Sequence, residues 1–257
     1  MKISDRIWGL EEGGTGMRKT DVYAELDDRL ARVAALGEPI RRELYRYVVS
    51  QREPVGRDQA AEAVGVARHT AKFHLDRLEA DGLLETEYSR PPGRRGPGAG
   101  RPAKRYRRAG SELAVSLPPR RYDLAGRVLA RAVAAATESG GPVADAVHDA
   151  AVAEGRTLGA SAAERGVDQM RPEAAAEAIG GVLAEYGYEP QITGGTVELV
   201  NCPFHALAEE YRPLVCGMNL DLINGLLEQC PHSGLGARLD VAPGRCCVVL
   251  ERTGSRR

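Results

Sequence analysis

Residues 66–84, VARHTAKFHLDRLEADGLL, decide the fold of the N-terminal part of the chain. Ala71, Leu75 and Leu78 recur there at helical spacing and make one apolar stripe, and Gly82 marks the end of the helix. The stripe predicts a helix that is anchored on one face to its neighbours. The N-terminal half of this helix is then left free on its other face, which carries Arg68, His69, Thr70, Lys72 and Phe73.

The segments on both sides of this helix predict two further helical regions and a β-hairpin. Apolar residues spaced by three or four over Tyr23–Ser50 predict two helices, and Arg57–Val64 predicts a short helix that ends at Gly65. Leu83–Tyr88 and Ala103–Arg108 predict two strands joined by an irregular tip rich in Arg, Gly and Pro. This order of elements is typical of a winged helix-turn-helix.

The charge distribution indicates a polyanionic partner for this unit. The whole chain has a formal net charge of −1, but residues 86–110 hold eight basic residues and one acidic residue, Glu87. Such a local basic strip predicts a nucleic-acid surface. The predicted partner is duplex DNA, with the exposed end of the helix in the major groove and the hairpin on the backbone or in the minor groove. The predicted contacts from the hairpin are Arg94, Arg95, Arg101 and Lys104, whereas His74 is predicted to be a packed structural histidine.

The second half of the chain predicts an α+β domain. The residue pattern favours helices at Tyr122–Thr137, Pro142–Glu164, Pro172–Tyr186, Phe204–Tyr211 and Gly217–Gln229. It also favours a hairpin of Glu189–Thr193 with Thr196–Asn201, and a closing strand at Cys246–Glu251. The expected fold class is therefore mostly α with small β elements. The expected domains are a disordered arm at 1–20, a winged helix-turn-helix at 21–110, and an α+β sensor and dimerisation domain at 120–257.

Several functional classes are disfavoured by the sequence. No stretch approaches the ~20 apolar residues that span a bilayer, and the N-terminus has no continuous apolar core, so a cytoplasmic protein without membrane contact is expected. No phosphate-binding or dinucleotide-binding loop is evident. Cys202 and His205 are the thiol–imidazole pair of a remote enzymatic alternative, but no orienting acid accompanies them. We therefore expect a protein that is not an enzyme.

All five cysteines fall in the last quarter of the chain: Cys202, Cys216, Cys230, Cys246 and Cys247. In a cytosolic protein, clustered cysteines are more often metal ligands or redox thiols than structural disulfides. The sequence therefore predicts a cysteine-based site in the C-terminal domain.

The chain resembles the ArsR-like transcription regulators, in the group that includes the SufR-type iron–sulfur-sensing repressors. The resemblance covers roughly residues 36–251 and is carried by ARHTAKFHLDRLEADGLLE, by GRPAKRYRR, and by NCPFHALA, LVCGMN and RCCVVLE. It implies a homodimer that binds a palindromic operator and acts as a repressor. It also implies an iron–sulfur cluster held by Cys202, Cys216 and one of Cys246 and Cys247, with Cys230 at a less regular position.

Helix length and strand alternation indicate only for some of the cysteines whether they are ligands. Cys230 is predicted to lie outside the site, because a helix from Cys216 would carry it about 21 Å away. On the closing strand, alternation favours Cys246 as the inward ligand over Cys247. The candidates for a fourth ligand are His205, Cys247, and an external thiol or water. The open alternatives to the iron–sulfur cluster are a zinc ion, a metal-free thiol–disulfide switch, and buried small side chains beside a pocket for an organic effector.

Overall fold

The computed structural model describes residues 19–89 and 102–254. Most of the predicted arm at 1–20 lies outside these residues, and so do three of the predicted DNA contacts, Arg94, Arg95 and Arg101. The chain divides into two compact units, one of residues Tyr23–Val115 and one that begins at Ser116. We describe the two units separately.

Where the structure describes it, the N-terminal unit consists of four helices and a small antiparallel sheet. The helices are α1 (Lys19–Ala35), α2 (Pro39–Ser50), α3 (Arg57–Val64) and α4 (Arg68–Ala80). The strands are β1 (Val55–Gly56), β2 (Leu84–Ser89) and β3 (Ala103–Arg108), in the order β1-β3-β2. The predicted helices and hairpin strands are confirmed within one or two residues, except that α1 begins earlier. The two-residue strand β1 was not expected.

Local sequence explains where α2 and α3 begin and end. Glu38 caps α2 because its carboxylate accepts hydrogen bonds from the backbone N–H of Ile40 at 3.1 Å and of Arg41 at 2.6 Å. Pro39 occupies the first turn, where its missing N–H costs nothing. Gly65 ends α3 with a φ of 72°, a left-handed conformation that favours glycine.

The C-terminal unit combines five helices with a four-stranded antiparallel sheet in the described residues. The helices are α5 (Tyr122–Ser139), α6 (Val143–Glu164), α7 (Pro172–Glu185), α8 (His205–Glu210) and α9 (Arg212–Glu228). The strands are β4 (Pro190–Thr193), β5 (Thr196–Leu199), β6 (Leu235–Leu239) and β7 (Val248–Arg252), in the order β4-β5-β7-β6. The chain is thus mostly helical with small sheets, as predicted.

The sequence interpretation of this unit was wrong at three places. Strand β6 was not predicted, and α9 begins at Arg212 rather than at Gly217, because Pro213 fits the first turn of the helix. The closing strand begins at Val248, so Cys246 and Cys247 precede it. Each of these changes alters the surroundings of a cysteine.

Helices α6 and α9 pack with their backbones in close contact at the centre of the C-terminal unit. A Cβ atom added at Gly155 of α6 would lie 2.0 Å from the carbonyl oxygen of Leu222, and one added at Gly225 of α9 would lie 2.3 Å from that of Val152. Only glycine permits this approach. The contact fixes α9, and therefore Cys216, against the core. Within residues 19–89 and 102–254, no helix is both long and apolar enough to cross a membrane.

Candidate functional site

Helices α3 and α4 are joined by a three-residue turn that sets the direction of α4. After Gly65, the N–H of Val66 donates to the carbonyl of Ala61 at 3.0 Å, which closes the end of α3. Ala71, Leu75 and Leu78 of α4 are then fully buried, as the apolar stripe predicts. They pack into a core that includes Leu44 and Tyr106. The opposite face of α4 is left for solvent.

The predicted reading residues lie on this free face of α4, which we call the recognition helix. The side chains of Arg68, Lys72 and Phe73 are 62%, 57% and 65% exposed. His69 is also exposed, whereas Thr70 is half-buried. Ala67 precedes the helix and offers no side-chain acceptor, so the first N–H groups of the helix are available to an anion such as phosphate.

Two cations of this face are paired with acidic residues of the same unit. Arg68 Nε lies 2.5 Å from Asp58 Oδ1 of α3, and Lys72 Nζ lies 2.9 Å from Asp76 Oδ2 one turn further along α4. The Arg68–Asp58 pair is largely exposed and contributes little to stability, whereas the carboxylate of Asp76 is partly buried. Phosphate oxygens are therefore able to compete for Arg68 at small cost.

Lys104 is placed differently from the other predicted DNA contacts. Its ammonium group on β3 is ion-paired with Glu79 and lies 3.0 Å from Asp76 Oδ1, on the inner side of α4. The hydroxyl of Tyr106 donates to the same Asp76 oxygen at 2.6 Å. Burial raises the pKa of Asp76, but the bonds from Tyr106, Lys72 and Lys104 outweigh burial and lower that pKa to about 2. Lys104 therefore joins the recognition helix to the hairpin.

His74 is buried, as expected for a structural histidine, with 8% of its surface exposed. Its Nδ1 atom lies 3.6 Å from Glu38 Oε2, the capping residue of α2. The contact links the recognition helix to the start of α2. It leaves His74 on the core side of α4, away from Arg68 and Lys72.

Four of the five cysteines meet in the C-terminal unit. Cys202 is half-buried in the loop after β5, Cys216 is buried in the second turn of α9, and Cys246 and Cys247 are buried just before β7. The backbone N–H of Cys246 donates to the carbonyl of Leu199 at 2.7 Å, which brings the segment before β7 to the end of β5. We call Cys202, Cys216, Cys246 and Cys247 the thiol cluster.

The cluster is a row of neighbouring thiols centred on Cys246. Hydrogen bonds from the thiols of Cys202 and Cys247 lower the pKa of Cys246 despite its burial. The same interaction with Cys246, together with burial, raises the pKa values of Cys202 and Cys247. Cys247 also interacts with Cys216, so all four cysteines of the cluster are joined in one row. A proton is therefore lost most easily at Cys246, where the thiols of Cys202 and Cys247 stabilise the thiolate.

A buried amide, which the sequence analysis did not single out, supports Cys246. The Nδ2 of Asn219 donates to Cys246 Sγ at 3.2 Å, and the hydroxyl of Tyr188 donates to Asn219 Oδ1 at 2.5 Å. Both side chains are almost fully buried. The one signal in the sequence was an Asn three residues after Cys216 in an otherwise apolar part of α9, since a buried amide requires partners.

The alternation argument for the closing strand was wrong for the two vicinal cysteines. Because β7 begins at Val248, the two-residue period of a strand does not apply to Cys246 and Cys247. Both are buried, with 1% and 8% of their surfaces exposed, and both interact with other members of the thiol cluster. Strand parity therefore gives no reason to prefer one of them as a ligand.

Cys230 and His205 lie apart from the thiol cluster. Helix α9 runs continuously to Glu228, so its length places Cys230 about 20 Å along the axis from Cys216. The thiol of Cys230 is buried, and burial together with Asp168 raises its pKa. The ring of His205 is exposed, and its Nε2 atom lies 3.3 Å from Glu209 Oε1. His205 thus pairs with a carboxylate at the surface rather than with Cys202.

The donor set suits thiolate chemistry better than a single metal ion. All four members of the cluster are cysteines, which are the ligands of [2Fe–2S] and [4Fe–4S] clusters. Across the part of the chain that the structure describes, no three His, Cys, Asp or Glu side chains are grouped so that they could hold a metal ion. This spacing of the side chains gives no geometric support to a zinc site or to an iron–sulfur cluster, so only the number and type of ligands favour the cluster. A separate, open surface groove lies between α5 and α6, and its lining residues include the exposed Arg131, Ala135 and Asp145.

Comparison with known families identifies the N-terminal unit. No curated protein and no solved structure matches the chain. A family model described as a helix-turn-helix domain matches residues 36–87, from the turn before α2 into β2. This range contains α3, the turn at Gly65 and the recognition helix. The chain therefore carries a helix-turn-helix domain, which supports a function as a DNA-binding transcription regulator.

Proposed function

We propose that the protein is a sequence-specific repressor of transcription that binds duplex DNA as a homodimer and senses its signal through the thiol cluster. The recognition helix enters the major groove with Arg68, Lys72 and Phe73 towards the base edges. The hairpin arginines Arg94, Arg95 and Arg101 contact the backbone or the minor groove. Two copies of this unit would match two half-sites of a palindromic operator.

The observation that carries the DNA-binding part is the exposed N-terminal half of α4 within the matched helix-turn-helix. Its other face is fully buried, so the orientation of the helix is fixed by the core and not by the ligand. Two cations and an aromatic ring project from the free face. Such a preformed surface requires little reorganisation to bind, which favours affinity.

Binding to DNA tests this part directly. Duplex sites are selected from a random pool with the full-length protein, and affinity is measured by fluorescence anisotropy at several salt concentrations. Arg68→Ala removes an exposed cation of the recognition helix, so we expect weaker binding and a salt slope about one unit smaller. The matched control is Arg156→Ala, which removes a similarly exposed arginine paired with Glu228 in the C-terminal unit. Equal affinities of Arg68→Ala and wild type would contradict the proposed surface.

For the sensor, we propose that Cys202, Cys216, Cys246 and Cys247 hold an iron–sulfur cluster. The number and type of side chains support this proposal, since such clusters take four cysteine thiolates. When bound, the cluster would supply a redox-active centre. The residues of this chain would hold it: Asn219 would donate to the Cys246 sulfur, and burial of Cys216, Cys246 and Cys247 would exclude water. Zinc and a metal-free thiol–disulfide switch are the alternatives.

Anaerobic purification tests the sensor. We expect iron and acid-labile sulfide in the protein, together with visible absorption that is lost in Cys216→Ser but kept in Cys230→Ser, because Cys230 lies outside the thiol cluster. A colourless, iron-free protein that also resists reconstitution with iron and sulfide would contradict the cluster. Zinc at one per chain would favour the zinc alternative.

An organic effector is the second candidate for the signal. The open groove between α5 and α6, with arginine, alanine and acidic side chains in its lining, is the observation that favours it. A small molecule bound there would be displaced by a bulky change at Ala135, such as Ala135→Trp. If that variant lost its response to a signal while cysteine variants kept theirs, the effector would be organic.

A further inference from the structure

The chain segment that follows the N-terminal unit contacts the loop that carries Cys202. Residues 116–121 come directly after Val115, the last residue of that unit, and lead into α5. We call this segment the linker. Its contacts with the Cys202 loop lie entirely within the C-terminal unit, so they do not depend on how the two units are arranged.

Arg120 makes the central contact of the linker. Its Nη1 atom donates to the side-chain oxygen of Asn201 and, at 2.9 Å, to the backbone carbonyl of Cys202. A guanidinium group in this position is always charged, and hydrogen bonds from charged groups are among the stronger ones in proteins. The bond to the Cys202 carbonyl ties the linker directly to the backbone of a cluster residue.

Asn201 and the backbone of Arg121 complete the junction. The Nδ2 atom of Asn201 donates to the carbonyl of Pro119 at 2.9 Å and to that of Gly187 at 2.6 Å, and Asn201 is only 6% exposed. The N–H of Arg121 donates to the carbonyl of Pro203 at 3.0 Å. The linker is therefore bonded to the residues immediately before and after Cys202.

Cys202 also contacts the thiol cluster. Its thiol interacts with Cys246, and its backbone carbonyl accepts from Arg120 and, at 3.2 Å, from the N–H of His205. If a change at the thiol shifts the loop, the buried amide of Asn201 and the guanidinium of Arg120 lose partners unless the linker moves too. Leaving such polar groups unpaired costs free energy, so a joint movement is favoured.

We propose that Arg120 and Asn201 couple the state of the thiol cluster to the linker, and that they are the positioning residues through which Cys202 changes DNA binding. The proposal rests on the proposed role of the cluster as the sensor. Coupling through Arg120 and Asn201 does not depend on whether the thiols hold a metal cluster or form a disulfide. Any change of state that displaces Cys202, whether loading with a cluster or oxidation of a thiol pair, would act through the same junction.

The test measures DNA affinity of the full-length protein in three states. These are the reduced protein with a chelator, the protein reconstituted with iron and sulfide, and the protein treated with diamide. Diamide takes two electrons and two protons from a pair of thiols, which become a disulfide. In wild type we expect at least one treatment to change the affinity by about 5-fold or more, which is the lower range of allosteric coupling. In Arg120→Gln we expect the affinity of the reduced protein to be unchanged and the response to fall below about 2-fold.

Two comparisons make the result decisive. Arg156→Gln removes an exposed arginine far from the linker in sequence, and it should respond like wild type. Hydrogen exchange of wild type in the same three states gives a second measurement that needs no variant: the amides of residues 120–122 should change their exchange rates with the state of the cysteines. An Arg120→Gln protein that responds like wild type, or linker amides that do not change, would overturn the coupling alone. A wild type whose affinity is the same in all three states would overturn the sensor and the coupling together.

Discussion

Replacing Asp76 by Asn should destabilise the N-terminal unit in a way that depends on pH. Asp76 accepts a hydrogen bond from Tyr106 at 2.6 Å and lies within 3.0 Å of the ammonium groups of Lys72 and Lys104. It thereby joins the recognition helix to strand β3. Asparagine keeps the shape of the side chain and the acceptor for Tyr106, but it removes the charge that both lysines face.

The lowered pKa sets the size of the effect. A shift of the Asp76 carboxyl from 3.8 to about 2 corresponds to roughly 2.5 kcal/mol. Because 33% of the side chain is exposed, solvent screening reduces this to about 1–2 kcal/mol. The pKa is lower in the folded state, so the contribution is complete above pH 3.8 and is lost as the pH falls towards 2.

The measurement is the thermal unfolding of full-length wild type and Asp76→Asn by calorimetry at pH 7 and in acid. At pH 7 we expect the Tm of the N-terminal unit to fall by roughly 5–10 °C. The difference should shrink steadily below pH 4. The control, Asp58→Asn, removes the exposed pair with Arg68 and should shift stability by less than about 0.5 kcal/mol. A Tm difference for Asp76→Asn that is the same at pH 7 and pH 3 would refute this account of the network.

Three further predictions concern the backbone and the hairpin. Gly155→Ala should destabilise the C-terminal unit by about 1–3 kcal/mol, because the new Cβ would lie 2.0 Å from the Leu222 carbonyl oxygen. The control, Gly126→Ala on α5, meets no atom within 4 Å and should raise stability by about 0.5–1 kcal/mol. Equal Tm values for the two variants would contradict the α6–α9 contact. Gly65→Ala should cost about 1–2 kcal/mol in unfolding experiments because of its φ of 72°, and no change in Tm would contradict the left-handed turn. Joint replacement of the predicted hairpin contacts Arg94, Arg95 and Arg101 should lower the salt slope of DNA binding by up to about three units. An unchanged slope would exclude these three arginines from the interface.

The sequence predicted the N-terminal unit well because each boundary there has a local cause. The stripe of Ala71, Leu75 and Leu78 and the glycine at position 65 are signals that act over a few residues, and all are confirmed. The role of Lys104 was harder to predict. Its position among basic residues favoured a DNA contact, but its pairing with Asp76 and Glu79 depends on the register of β3 against α4, which no local pattern encodes.

The sequence predicted a site in this part of the chain with Cys202, Cys216 and Cys246, and it left open whether His205 or Cys247 joins them. Clustering of cysteines in the sequence identified the right region, and length along α9 placed Cys230 apart. The error at Cys246 and Cys247 came from the start of β7, since strand ends are set by pairing with β5 and β6 rather than by apolar residues alone. Asn219 and Arg120 were missed because their partners are 27 and 82 residues away in sequence. Such contacts become visible only in the folded unit.

Hydrogen exchange of the full-length protein with and without a selected duplex tests the central claim most directly. The recognition helix is predicted to be the surface that enters the groove, so the amides of residues 67–74 should be protected by DNA, with the amides of β7 unaffected. The same experiment with a single strand of that sequence should give weaker protection. Tight binding to the duplex without any protection of residues 67–74 would contradict the account.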